Sequence, residues 1–330
     1  MVRTILIITT LLLMTCGMPP LQKAQAILQQ GIADDSEIIQ VNAAKGLLLA
    51  GDIQGLEKVY EILQGDDKNT IAAALTALHD VGDTTYSPVL VAFTTHSDPL
   101  IRSEAYKLVS IMPHPECLDV LRRGTQDKVA KIRKISYQGL ANFCDKNTLY
   151  RGLRDTDPLV RIAAAQSLAE CGEPDLENFI KNEMKVRNID IWTEGVVALA
   201  EIGDTSAIPF FRDSLALVDD VPMDMRLAAA EALLILNNED AALVLKEGIE
   251  SSNPFIRVRA VHILKEHPFP EGNELLTIAA EDEYINVSVV AVEALGAQRT
   301  KKYQEVFIHL LDAPNPLVKI AAAAAFLRSK

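Results

Sequence analysis

The sequence predicts an all-α protein, a right-handed α-solenoid of about ten helical hairpins. Three observations lead there. One helix-forming phrase recurs along the chain, the recurrence keeps a fixed period, and no stretch of any length alternates apolar and polar residues as a strand does. The clearest copy is Asp157-Pro158-Leu159-Val160-Arg161-Ile162-Ala163-Ala164-Ala165-Gln166-Ser167-Leu168-Ala169. Asp157 suits a helix N-cap and Pro158 the first helical position. Val160, Ala164, Leu168 and Cys171 then share one apolar face. Shorter copies begin at Asp98-Pro99-Leu100-Ile101-Arg102, Asn253-Pro254-Phe255-Ile256-Arg257 and Asn315-Pro316-Leu317-Val318-Lys319.

With Arg161 as the marker of a unit, markers fall at Gln40, Ile71, Arg102, Arg133, Arg161, Trp192, Arg226, Arg257, Ser288 and Lys319. Seven of the nine intervals are 31 residues; the other two, 28 and 34, differ by about one helical turn. Three residues after each marker stands a small residue, and seven after it leucine, except Val109 and Phe326. An amphipathic helix precedes each marked one, clearly so at Leu56–Leu63 and Ala207–Leu215. Ser36, Asp67, Asp98, Asp157, Asn188, Asn253 and Asn315 stand four before a marker as capping residues. Gly51, Gly82, Gly172 and Gly203 lie just past a marked helix, where a left-handed C-cap favours glycine. The three extra residues of the long interval are placed near Leu217 to Met223.

The unit resembles a short HEAT repeat of the subtype named after phycobilisome lyase subunits, and Asp157–Ala169 matches its second helix. The resemblance covers about Gln22 to Lys330. It implies an α-solenoid whose second helices line the concave face. It does not imply one function, because such arrays serve as scaffolds, adaptors, lyases and nucleic-acid enzymes.

Apolar residues make up 49% of the chain and aromatics only 5%, so the core must be mostly Ala, Leu, Ile and Val. The net charge of −13 argues against nonspecific binding to nucleic acid or anionic membranes. Arg3 followed by the apolar run Ile5–Met14 reads as an export signal. Ala24-Gln25-Ala26 has the small-x-small form of a cleavage site, but subtracting one repeat from Leu56–Leu63 puts Gln25–Ile32 inside the first helix. Leu13-Met14-Thr15-Cys16 resembles a bacterial lipobox, with Thr15 departing from the usual small residue. Residues 1–21 are therefore read as signal and tether, with Cys16 the lipidation site, and 22–330 as the solenoid. Cys117, Cys144 and Cys171 form no C-x-x-C motif. Helix-axis spacings of about 8–10 Å predict buried apolar cysteines in place of a disulfide between Cys144 and Cys171.

Five residues after each marker the column reads Lys45, Thr76, Lys107, Gln138, Gln166, Val197, Glu231, His262, Glu293 and Ala324, turning from basic or neutral to acidic. Asp119–Asp155 carries +5 and Glu201–Glu250 carries −8. Trp192, the only tryptophan, stands where five units have arginine. It joins Lys107, Arg133, Lys134, Gln138 and Gln166 as partner-binding candidates, although the marker arginines are also expected to hold repeats in register.

No H-E-x-x-H, G-x-S-x-G or G-x-x-x-x-G-K occurs, and no histidine is followed by glutamate, which disfavours the di-iron hydroxylase built on HEAT repeats. No catalytic residue, metal or cofactor is assigned. The expectation is a noncatalytic scaffold or adaptor that binds a protein, exported to the cell envelope or periplasm, with lipidated Cys16 as its membrane tether. A lyase subunit resembling the phycobilin-attachment proteins is the alternative. The last helix has no polar cap after it, so association of copies through the C-terminal repeat is also expected.

Overall fold

A computed structural model describes residues 18–186, 188–216 and 221–330, and among them it holds twenty α-helices and no strand. The expected signal segment, including Arg3, Ile5–Met14 and Cys16, lies outside the described residues. The helices alternate as first and second members of ten hairpins. The first members are α1 (Pro20–Gly31), α3 (Ile53–Ile62), α5 (Ser87–Phe93), α7 (Pro115–Gly124), α9 (Lys146–Gly152), α11 (Leu176–Glu183), α13 (Ile208–Ala216), α15 (Ala242–Ile249), α17 (Pro270–Ala279) and α19 (Gln304–Leu310). The second members are α2 (Glu37–Leu49), α4 (Lys68–Asp80), α6 (Pro99–Ser110), α8 (Ala130–Leu140), α10 (Pro158–Glu170), α12 (Ile189–Glu201), α14 (Met223–Ile235), α16 (Pro254–Glu266), α18 (Ile285–Ala297) and α20 (Pro316–Arg328). All ten markers fall in second members. No described helix is long and apolar enough to cross a membrane.

Local chemistry sets the helix starts. Asp67, Asp98, Asp157, Asn188, Asn253 and Asn315 each accept a hydrogen bond from a backbone N–H of the first turn they cap. Ser36 holds the N-cap position of α2 without such a bond. Gly51, Gly82, Gly172 and Gly203 have φ between 74° and 83°, the left-handed end that a side chain would strain. Helix α1 begins at Pro20, inside the stretch read as tether, because proline suits a first helical turn that needs no N–H. Ala24 and Leu28 of α1 are fully buried.

The chain forms two compact units, one of residues 66–275 and one that unites the first 65 residues with 276–330. In the larger unit each second helix packs on the next, from α4 through α16. Its core is built from small and aliphatic side chains: Val160, Ala164 and Leu168 of α10 are fully buried, as are Leu227, Ala229 and Leu233 of α14. In the other unit α18 packs on α20, and α20 carries α1 and α2. Gly46 of α2 sits against Leu28 of α1 and Ala324 of α20, and Gly31 against Ile320. Lys23 reaches Asp312 at 2.5 Å, and Lys45 reaches over α20 to Glu293 at 3.0 Å. The face of the last hairpin expected to recruit another copy is thus covered by the chain's own first hairpin.

The cysteine reading needs a second correction. Cys144 and Cys171 form a disulfide, with Cα atoms 5.4 Å apart. Neither sulfur-bearing residue lies within a helix body. After α8 the chain makes one 3-10 turn, and Cys144 takes a left-handed conformation (φ 45°) next to the C-cap residue Cys171 of α10. The turn shortens a gap that helix axes alone would leave open. Cys117 is buried with a free thiol.

Candidate functional site

The marker arginines of hairpins 3, 4 and 5 form a ladder. Arg102 donates from Nε to Asp127 at 2.7 Å and from Nη1 to the His96 carbonyl at 2.9 Å. Arg133 forks onto Asp155 through two 2.8 Å bonds and donates to the Asp127 carbonyl at 3.0 Å. Arg161 repeats this with Glu183 (2.8 and 2.6 Å) and the Asp155 carbonyl (2.8 Å). Planar guanidinium forks bind carboxylates at fixed geometry, so each arginine ties its own turn to the next. The Arg133 hydrogen bond holds the Asp155 carboxyl below the usual carboxylate range, against burial. At Asp127 burial pushes the carboxyl up, and Arg102 with the Val129 N–H hold it below that range.

Arg133 is therefore engaged in packing. Lys134 points to the other side of α8 and reaches over α10 to Glu194 of α12 at 2.5 Å. Gln166 is buried and donates to Glu170 (2.8 Å) and Glu201 (2.5 Å). Gln138 is half-buried on α8. Lys107 is exposed on α6, 3.8 Å from Glu104 of the same helix. Trp192 is half-buried, its ring centroid 5.8 Å from Phe210 of α13, and Phe210 is 45% exposed. Lys134 and Gln166 thus meet partners on α12. Lys107 stands apart from them.

A cleft of about 690 Å³ opens where second helices end. Its walls include Glu170 and Glu201, the last residues of α10 and α12, and Glu266 and His267 at the end of α16. Leu234, Ile235 and Phe269 add apolar wall. Helix C-termini carry partial negative charge, which adds to the carboxylates. Water reaches Glu201, yet surrounding protein desolvates it. That desolvation, with Glu170, Glu194 and Glu231, pushes its carboxyl up to about 7, against His267. The Glu231 carboxylate, 3.8 Å away, holds His267 above its ordinary value, against burial. Glu231, Glu266 and His267 each bring a ligand atom within 4.8 Å of the others, a spacing a cation could bridge.

The sequence pattern of HEAT repeats matches residues 56–141 and 147–234, together more than half of the chain. The chain is a HEAT-repeat protein. No curated protein sequence matches it. Among solved structures the HEAT array is similar to human deoxyhypusine hydroxylase in complex with glycerol (19% identity, TM-score 0.37, 76% of this chain and 98% of that one). It is also similar to the complex of CpcE and CpcF of phycocyanin lyase from Nostoc sp. (17%, 0.44, 73% and 94%). A third similar structure is Kap121p (16%, 0.40, 92% and 40%).

A search for histidine followed by glutamate passes over the acidic cleft of the HEAT array, because Glu266 precedes His267 and Glu231 comes from α14. A column would have found it: nine residues after the marker stand Glu170, Glu201 and Glu266. A raised carboxyl means the folded protein disfavours the charged form. Stability should therefore fall as pH rises from about 4.5 through about 7, and the raised His267 acts in the same direction. Glu201→Gln keeps an acceptor for Gln166. With solvent screening counted, it is expected to raise Tm by roughly 2 °C at pH 8 and to leave it unchanged below about pH 5. Calorimetry across that range would show a uniform shift if titration of Glu201 were not the cause.

Proposed function

We propose that this HEAT-repeat protein is a noncatalytic protein-binding scaffold, exported to the cell envelope and tethered through Cys16. The observation that carries the binding role is the Trp192–Phe210 pair. A large aromatic stands where neighbouring repeats place a clamp arginine, and it lies beside an exposed phenylalanine. Tryptophan is enriched at binding hot spots, where its buried area is largest. Two features support export. The Cys144–Cys171 disulfide is of a kind that persists in oxidising compartments. Cleavage after Ala26 would also divide α1 between buried Ala24 and Leu28, whereas a mature end at Cys16 leaves that helix whole.

The test is affinity capture from the native envelope, with intact-mass analysis of the bait. The expected bait starts at Cys16 and carries a lipid. Trp192→Ala is expected to weaken partner capture and barely change Tm. A large drop in Tm with capture intact would assign Trp192 to packing and remove the support for the binding role.

A further inference from the structure

We propose that the edge formed by the turns of hairpins 4, 5 and 6 docks an extended acidic protein segment that ends in a bulky apolar residue. The proposal deepens the scaffold reading and rests on it.

The clamps set these turns side by side. Arg133 bonds the carbonyl of Asp127 and the carboxylate of Asp155, and Arg161 bonds the carbonyl of Asp155 and the carboxylate of Glu183. The same clamps occupy the acids of the edge: Asp127 faces Arg102, Asp155 faces Arg133, and Glu183 faces Arg161. Asp157 caps α10. Around them Arg123, Lys128, Lys131, Arg151 and Arg154 are exposed, and none makes an ion pair among the described residues. The N-termini of α8 and α10 open on the same edge and add partial positive charge. A chain of −13 overall therefore carries an uncompensated basic strip over two adjacent hairpins.

The strip changes character at hairpin 6. There Val186 is 53% and Ile189 47% exposed, near half-buried Trp192, and exposed Lys185 and Asp190 offset each other in charge. Two steps between neighbouring second helices span about 20 Å, which an extended chain covers with about six residues. Charge complementarity selects Asp and Glu for the first part of the occupant. The apolar end selects a side chain such as leucine or phenylalanine. An anionic membrane or nucleic acid matches the charge of the first part alone.

Trp192 is the only tryptophan, so its emission reports occupancy of the apolar end. The probe is a synthetic peptide of about six alternating Asp and Glu residues followed by Leu, free of tryptophan. Titration into the full chain is expected to shift the emission to the blue and to saturate. Replacing the peptide's Leu with Ser is expected to abolish the shift. The variant carrying Lys128→Glu, Lys131→Glu, Arg151→Glu and Arg154→Glu is expected to bind about tenfold more weakly or worse, with affinity that no longer falls as salt rises. These four side chains lie outside the clamps; if the variant melts early, the same four changed to Gln serve instead, with a smaller loss expected. Equal affinity of wild type and variant, or no binding by wild type, would overturn the strip. So would tighter binding of phosphatidylglycerol vesicles or single-stranded DNA than of the peptide. Capture of the envelope partner by wild type and variant alike would also overturn it, and would leave the scaffold reading standing.

Discussion

Leu28→Asp is expected to open the junction between the first and last hairpins and to lower stability by roughly 4 kcal/mol. Leu28 is fully buried, and with Ala324 of α20 it walls the glycine at position 46 of α2. A carboxylate there loses its water at a fully buried position that Leu28 shares with Gly46 and Ala324, neither of which carries charge. The effect should reach far along the sequence and stay local in space. Amide hydrogen exchange should rise in α1 and in α20, about 290 residues apart, because each supplies the other's apolar cover. Helices α6 to α14 should keep their protection, since repeats couple chiefly to neighbours. Unchanged exchange in α20 would mean that the first hairpin does not hold it.

Arg133→Ala is the second large effect, a loss of about 2–4 kcal/mol. The substitution leaves Asp155, only 11% exposed at its side chain, without its partner, and it strands the carbonyl of Asp127. Arg133→Lys should recover less than half, because one ammonium cannot reproduce the two-pronged bond. The pH dependence has a definite sign. The Asp155 carboxyl is held low, so its contribution is complete above the ordinary carboxylate range and disappears as pH falls through the depressed value. Wild type and Arg133→Ala should therefore converge in strong acid, which chemical denaturation at several pH values would show. A constant gap would shift the credit from the ion pair to the packing of the arginine stem.

The repeat was legible because every unit must bury the same stripe with the same small residues, which writes a column into the sequence. The caps and clamps were legible for the same reason: Asp157 and Arg161 recur at fixed offsets. What could not be read depends on contacts with no local signature. The apolar outer face of α20 looks alike whether a second copy or the chain's own first hairpin covers it. The bond between Cys144 and Cys171 depends on one left-handed residue that is not glycine, which propensity does not foretell. The acidic cleft gathers side chains from the ends of four helices, so no single window contains it. Trp192 stood out by rarity and by holding a marker position that five units give to arginine, and the structure supplied its neighbour Phe210.

The most direct test of the account is a distance between the two ends of the array. Spin labels would be placed on cysteines introduced at the exposed positions Gln22 and His309, in a Cys16→Ser and Cys117→Ser background, and read by pulsed electron paramagnetic resonance. Because Lys23 bonds Asp312, the labels should lie within about 25 Å of each other, in one narrow distribution. Ten hairpins in an open row would hold them about 90 Å apart, and such a distance would contradict the seal between first and last hairpins.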